Sequence, residues 1–152
     1  MKGVTIYVSG DPAAQGSKRL VSTKAGRTIM LESSKKLRPW RAAVSEAARE
    51  FKCPTFVGDV AMRVRVRFVR PASHFRKDGS VKPAAPSRPG KADCDKLLRG
   101  ICDALTGIAY QDDRQVASVA IERVWCSVGQ DPGATIDVCP CPTDGGWVYE
   151  HH

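Results

Sequence analysis

Asp93 and Asp95, two residues apart, and the adjacent pair Asp112 and Asp113 are the side chains of this chain best suited to chemistry. Hard carboxylate oxygens grouped within about two dozen residues, beside the cations Lys91, Lys96 and Arg99, are what a Mg²⁺ ion needs when it also binds a phosphate. The reaction such a set supports is hydrolysis of a phosphodiester, with the metal activating water and the cations holding the anionic substrate.

These groups must be positioned by regular structure. Apolar residues at Cys94, Leu97, Leu98, Ile101, Cys102 and Leu105 recur in steps of three and four, which draws one buried face of an amphipathic helix. Asp93 falls at its N-cap, where free N–H groups and the positive end of the helix dipole lower the cost of crowding carboxylates. On a regular helix Asp93 and Asp95 diverge, but in an extended entry they point the same way. Gly107 after Thr106 stops the helix. The connection through Tyr110 and Gln111 is expected to bring Asp112 and Asp113 to the mouth of the next strand, to meet the first pair in space. Singly, an Asp before a helix is a cap and an Asp-Asp pair is turn chemistry; only the combination points to a site.

Three ordered blocks carry a resemblance. Asp93-Cys94-Asp95-Lys96-Leu97-Leu98-Arg99, then Asp103-Ala104-Leu105-Thr106-Gly107, then Tyr110-Gln111-Asp112-Asp113-Arg114-Gln115-Val116 resemble the signature of RusA-type Holliday junction resolvases, crossover junction endodeoxyribonucleases. The family pattern is D-x-D-N-x-x-K, a helix ending in D-A-L, and D-D-x-Q before a strand. The resemblance implies metal-binding catalytic acids at Asp93, Asp95 and Asp113, with Asp112 as an outer member. It also implies Mg²⁺ as cofactor with Mn²⁺ as a substitute, a homodimer making two symmetric nicks in branched DNA, and a phage or prophage origin. The family lysine falls on Arg99 and its asparagine on Lys96. Arginine keeps the charge but cannot give up its proton, so an electrostatic role at Arg99 survives and a proton-transfer role does not. Lys96 offers an ammonium nearby, about 60° around the helix.

Charge is unevenly distributed over the 152 residues. Residues 1–91 hold 20 Lys/Arg against 6 Asp/Glu, whereas residues 92–152 hold 4 against 10. A basic part and an acidic, motif-bearing part suit a protein that grips a polyanion with one and holds a cation with the other. From Arg63 to Lys91 there are nine basic residues and one acid, Asp78, so the ladder Arg63, Arg65 and Arg67 with Arg76, Lys77, Lys82, Arg88 and Lys91 is the main candidate DNA surface. Lys18, Arg19 and Lys96 extend it. The ladder's repulsion is met either by a nucleic-acid backbone or by an acidic partner strand.

Six cysteines, with no CxxC pair, read as small buried hydrophobes of a reducing compartment, and Cys139-Pro140-Cys141 fits no common zinc spacing. No apolar run of membrane length and no leader-like segment occurs, so a cytoplasmic protein without membrane association is expected.

In chain order, Val4, Ile6 and Val8 alternate as a half-buried strand. Residues 11–31 form a basic loop or ragged hairpin, either lying along a phosphate backbone or solvated. Leu37, Trp40, Val44, Ala47, Ala48 and Phe51 form a packing helix from about Ser33-Ser34, with Pro39 tolerable only in its first turn. Val60 to Phe68 is a long strand. Residues 71–91 read as a flexible basic loop in which His74 and Phe75 are embedded. Residues 116–128 alternate in two phases, as one strand bulged near Glu122-Arg123, and Thr135–Val138 closes as a short strand.

The expected architecture is a single α+β domain over residues 1–152, with a mixed sheet of about four strands, two packed helices, and the metal site at the start of the second helix. The activity expected from these residues and the resemblance is Mg²⁺-dependent resolution of four-way DNA junctions. A metal nuclease for flaps or forks and a non-catalytic binder of branched DNA are the other two readings.

Overall fold

The computed structural model describes residues 2–16, 18–32, 35–90 and 92–142. The predicted start at Ser33-Ser34 and the tail from residue 143 lie outside them. Strand β1 is Val4–Ser9, β2 Lys18–Ser22, β3 Thr28–Glu32, helix α1 Leu37–Glu50, β4 Val60–Phe68, α2 Cys94–Leu105, β5 Val116–Trp125 and β6 Gly133–Pro140. One mixed sheet runs β1-β6-β4-β5, and β2 and β3 pair separately as an antiparallel ribbon. This is the α+β domain with a four-stranded mixed sheet and two helices that the patterning predicts.

Strand β4 organises the sheet. Val60, Met62, Val64, Val66 and Phe68 are buried on the face that carries the helices, while Arg63 and Arg65 lie exposed on the other. β4 pairs antiparallel with β6 and parallel with β5, so α2 is the crossover of a β-α-β unit. α1 buries Leu37, Trp40, Val44, Ala47 and Ala48, and α2 buries Leu97, Ile101 and Leu105, all in a single core with the inner faces of β1, β4 and β6. Truncating Leu97 or Ile101 to Ala would cost about 2–5 kcal/mol by leaving a cavity beneath the motif helix. Helix α1 lies along α2: the Ser45 hydroxyl donates to the Ala104 carbonyl at 2.8 Å, and Arg41 pairs with Asp103 at 3.8 Å. Gly100 faces α1, where an added Cβ would meet the Leu37 side chain at 3.4 Å.

Several boundaries differ from the sequence reading. Pro39 sits in the first turn of α1, as required, but the helix begins at Leu37. Its basic start conflicts with the dipole, and Asp11 relieves this by pairing with Lys36 at 2.9 Å. The bulge in β5 lies at Ala117, between the pairs Val60↔Val116 and Ala61↔Ser118; the register is unbroken at Glu122 and Arg123. The final strand is longer than Thr135–Val138 and is central, between β1 and β4.

The segment 71–90 is a succession of turns. It holds a 3₁₀ turn at Ala72–His74 and a bridge between Phe75 and Val81. It is fastened to the sheet where Arg70 and the Trp125 indole N–H both donate to the Pro86 carbonyl at 3.0 Å.

Candidate metal centre and nucleic-acid interface

Asp93 is the N-cap of α2 by backbone geometry (φ −73°, ψ 140°), and its carbonyl accepts from Leu97 N–H at 3.0 Å. Its carboxylate, however, makes no capping hydrogen bond. It stays exposed, with Lys96 Nζ at 3.6 Å. Asp95 is exposed in the first turn. The residue before the cap is fixed from the sheet: Arg123 on β5 donates to the Ala92 carbonyl. Two exposed carboxylates at the positive end of a 12-residue helix suit Mg²⁺, which is commonly held by one or two carboxylates together with phosphate oxygens and water.

Beside Asp93 lies a cleft of about 580 Å³, with Phe68, Trp125 and Pro89 on its apolar walls and Lys36 and Lys96 at its margin. Arg99 is exposed and does not line this cleft. Asp95 and Arg99, four apart, share a helix face, whereas Lys96 leans back on Asp93.

The second acidic pair is built at the other end of α2. Gly107, with φ +85°, turns the chain after the C-cap Thr106 in a backbone conformation that favours glycine. Tyr110 then enters the core, and its hydroxyl donates to the Cys102 carbonyl at 2.9 Å. Burial pushes the Tyr110 phenol far above its usual value, chiefly because the ionised form would lose its water.

Asp112 caps the 3₁₀ turn Asp113–Gln115, accepting from Arg114 N–H at 2.9 Å and pairing with the Arg114 guanidinium at 3.0 Å. Those bonds hold the Asp112 carboxyl below the usual carboxylate range. The role of outer metal ligand expected for Asp112 thus competes with a structural one, while Asp113 is exposed and has no ion pair among the described residues.

Gln115 completes the capping box. Its Oε1 accepts from Gln111 N–H at 3.0 Å and Asp112 N–H at 3.2 Å, and its Nε2 donates to the carbonyls of Phe56 at 3.0 Å and Gly58 at 2.8 Å. The glutamine of D-D-x-Q therefore ties the acidic turn to the segment that leads into β4. The sequence reading gave Gln115 no role, although an Asp followed three residues later by Gln is a capping-box signal.

The two acidic pairs do not meet within one chain. Asp93 shares its cleft with Phe68 and Trp125, at the C-terminal ends of β4 and β5. Asp112 and Asp113 share a cleft of about 350 Å³ with Asp103 and Thr106, at the far end of α2. Twelve residues at 1.5 Å each separate the ends of the helix by about 18 Å. Among the described residues no three His, Cys, Asp or Glu stand close enough to hold a metal ion. The expected meeting of the two pairs therefore fails within a chain, because the connection after α2 turns back at the helix's own C-terminus.

The arginine ladder pairs with an acid on β5 and lies in register with another on β6. Arg65 Nε donates to Glu122 at 2.7 Å, Arg88 approaches the same carboxylate at 3.3 Å, and Arg63 is in register with Asp137. The bond from Arg65, above all, keeps the Glu122 carboxyl low. Arg67 reaches Thr135 Oγ1 at 2.8 Å. Of the two expected remedies for repulsion, the acidic partner strand is thus present, without excluding phosphate. Arg76, Lys77 and Lys82 are exposed, with no ion pair among the described residues. Lys91 lies outside the described residues, as do the side chains of Lys18 and Arg19, whose backbone forms β2.

No helix among the described residues is long and apolar enough to cross a membrane. Comparison with known proteins matches residues 9–138 to the family model described as endodeoxyribonuclease RusA. The chain is also similar to "Uncharacterized protein YqaN" of Bacillus subtilis (strain 168), with 29% identity over 129 residues, covering 82% of this chain and 89% of that protein.

Proposed function

The chain belongs to the endodeoxyribonuclease RusA family, and on that premise we propose that it is a divalent-metal-dependent endonuclease that resolves four-way DNA junctions in recombination or repair. The observation that carries the reading is the N-terminus of α2, where the family's first two acids stand exposed with neither carboxylate spent on capping the helix. Asp93 and Asp95 would hold Mg²⁺, or Mn²⁺, with Asp113. The metal, when bound, would lower the pKa of water and stabilise charge on the scissile phosphate. Lys96 and Arg99 would neutralise charge that grows on the phosphate oxygens, a role that a fixed cation fills without transferring a proton. A cytoplasmic location belongs to the same reading, since the substrate is cellular or phage DNA.

Separation of Asp93 from Asp113 along α2 supports a homodimer. In an antiparallel arrangement of two copies, each α2 would set its own Asp93 and Asp95 beside the partner copy's Asp113. That would make two equivalent composite sites related by a two-fold axis, suited to paired symmetric nicks. Strand β5 is at the edge of the sheet, which leaves one side free for such pairing.

The test is cleavage of a synthetic mobile junction beside a flap and a plain duplex, in Mg²⁺ and in EDTA. Paired nicks in the junction, abolished by EDTA, are expected. Preference for the flap would assign the chain to fork or flap processing, and metal-independent binding without cleavage would reduce it to a DNA-binding protein.

A further inference from the structure

We infer that the cleft between Trp125 and the N-terminus of α2 is a subsite for one unstacked nucleobase next to the scissile phosphate, a reading that rests on the junction-cleaving activity proposed above. The cavity, at about 580 Å³, is within the range of small-ligand sites. Its walls are of two kinds. Phe68 and Trp125, at the C-terminal ends of the parallel pair β4 and β5, and Pro89 give apolar surface, while Lys36 and Lys96 stand at the margin with Asp93 beside them.

Each lysine rests on a carboxylate in an exposed pair, Lys36 on Asp11 and Lys96 on Asp93. Such pairs are weak in water and exchange at little cost for a phosphate oxygen. A planar aromatic ligand flanked by phosphates, lying next to a metal-binding carboxylate, is the chemistry that fits: a nucleotide of the bound strand with its base turned into the cleft.

Trp125 is held ready for this. Arg70 lies over its ring at 4.9 Å, the His74 ring meets it edge-on at 5.4 Å, and its N–H is taken by the Pro86 carbonyl. The indole is therefore oriented before DNA arrives, and it lines the cleft. Bases in a continuous duplex are stacked and out of reach, whereas those at a branch point cost least to extrude. The subsite would thus help select branched DNA over duplex.

The experiment measures binding of the full chain in EDTA to a fixed four-way junction whose branch-point nucleotides are replaced, one at a time, by abasic residues. One replacement should weaken wild-type binding about tenfold, the scale of one lost base–aromatic stack. That difference should vanish in Trp125→Leu and persist in Trp125→Phe, which keeps an aromatic ring but lacks the N–H that ties Pro86. Equal wild-type affinity for every abasic junction overturns the subsite, and this arm needs no variant to fold. Discrimination that survives in Trp125→Leu, or is lost equally in Trp125→Phe, also overturns it. Each of these results leaves junction cleavage standing, whereas failure of the wild type to bind any branched DNA removes both proposals.

Discussion

Lys96 Nζ lies 3.6 Å from Asp93 Oδ2, whereas Arg99, three residues further along the same helix, stands outside the cleft these two share. The cation at the family's lysine position and the cation nearest the first acid are therefore different residues. If Arg99 acts by charge, Arg99→Ala is expected to slow the chemical step about 10²-fold and Arg99→Lys to restore most of it. Single-turnover cleavage of prebound junction isolates that rate. A larger loss in Lys96→Ala would move the role to Lys96, and small equal losses in both would leave neither cation in the chemistry.

Asp93→Asn, Asp95→Asn and Asp113→Asn should each abolish cleavage while junction binding persists or tightens, because an unneutralised carboxylate repels phosphate. Mixed dimers test the composite arrangement. Asp93→Asn and Asp113→Asn subunits, each inactive, should regain single-strand nicking when refolded together, since one of the two sites then has a full set of acids. Sites built within single chains would stay dead in the mixture.

The basic surface divides into spent and unspent charge. Replacing Arg76, Lys77 and Lys82 together with serine should reduce the slope of log K against log salt by about two to three, at about 0.9 per lost phosphate contact. Arg65→Gln, which removes a cation already paired with Glu122, should alter the slope far less. Equal changes would place the ladder in contact with DNA.

Tyr110 makes stability fall at alkaline pH. Its phenol is raised by burial in the fold, and in the unfolded chain it ionises at about 10, so its contribution is complete below that pH and is lost as pH rises above it. Tyr110→Phe should cost on the order of 1 kcal/mol at neutral pH, because the Cys102 carbonyl still accepts from the Thr106 hydroxyl at 2.9 Å. Chemical denaturation from pH 8 to about 11 should show the gap narrowing above about 10; parallel curves would deny the buried phenol this role.

Elements with an uninterrupted apolar period were legible in the sequence. The stripe from Leu97 to Leu105 and the alternation from Val60 to Phe68 gave α2 and β4 closely. Where a polar residue occupies an inward position the reading slipped. Arg123 faces the helix layer to reach the Ala92 carbonyl, and this broke the apparent phase of β5 and drew the bulge away from Ala117. In β6 the buried set Ala134, Ile136 and Val138 is short and contains a small residue, so its full length was hidden. The acids proposed for the site could be named from their spacing together with the family resemblance. Their separation could not, because it depends on the direction in which the chain leaves α2, and nothing local to Gly107–Gln111 specifies that.

The place of β6 between β1 and β4 has a consequence for how the protein is made. β1 and β4 share no hydrogen bonds; each pairs with β6, and Val4 waits for Val138. As a ribosome extends the chain, β1, β4 and both helices emerge before the strand that joins them, so two strand edges stay open until residues 133–140 appear. Folding of the sheet is then late and governed by long loop closures, and the basic, unjoined intermediate is the species a chaperone would have to shield.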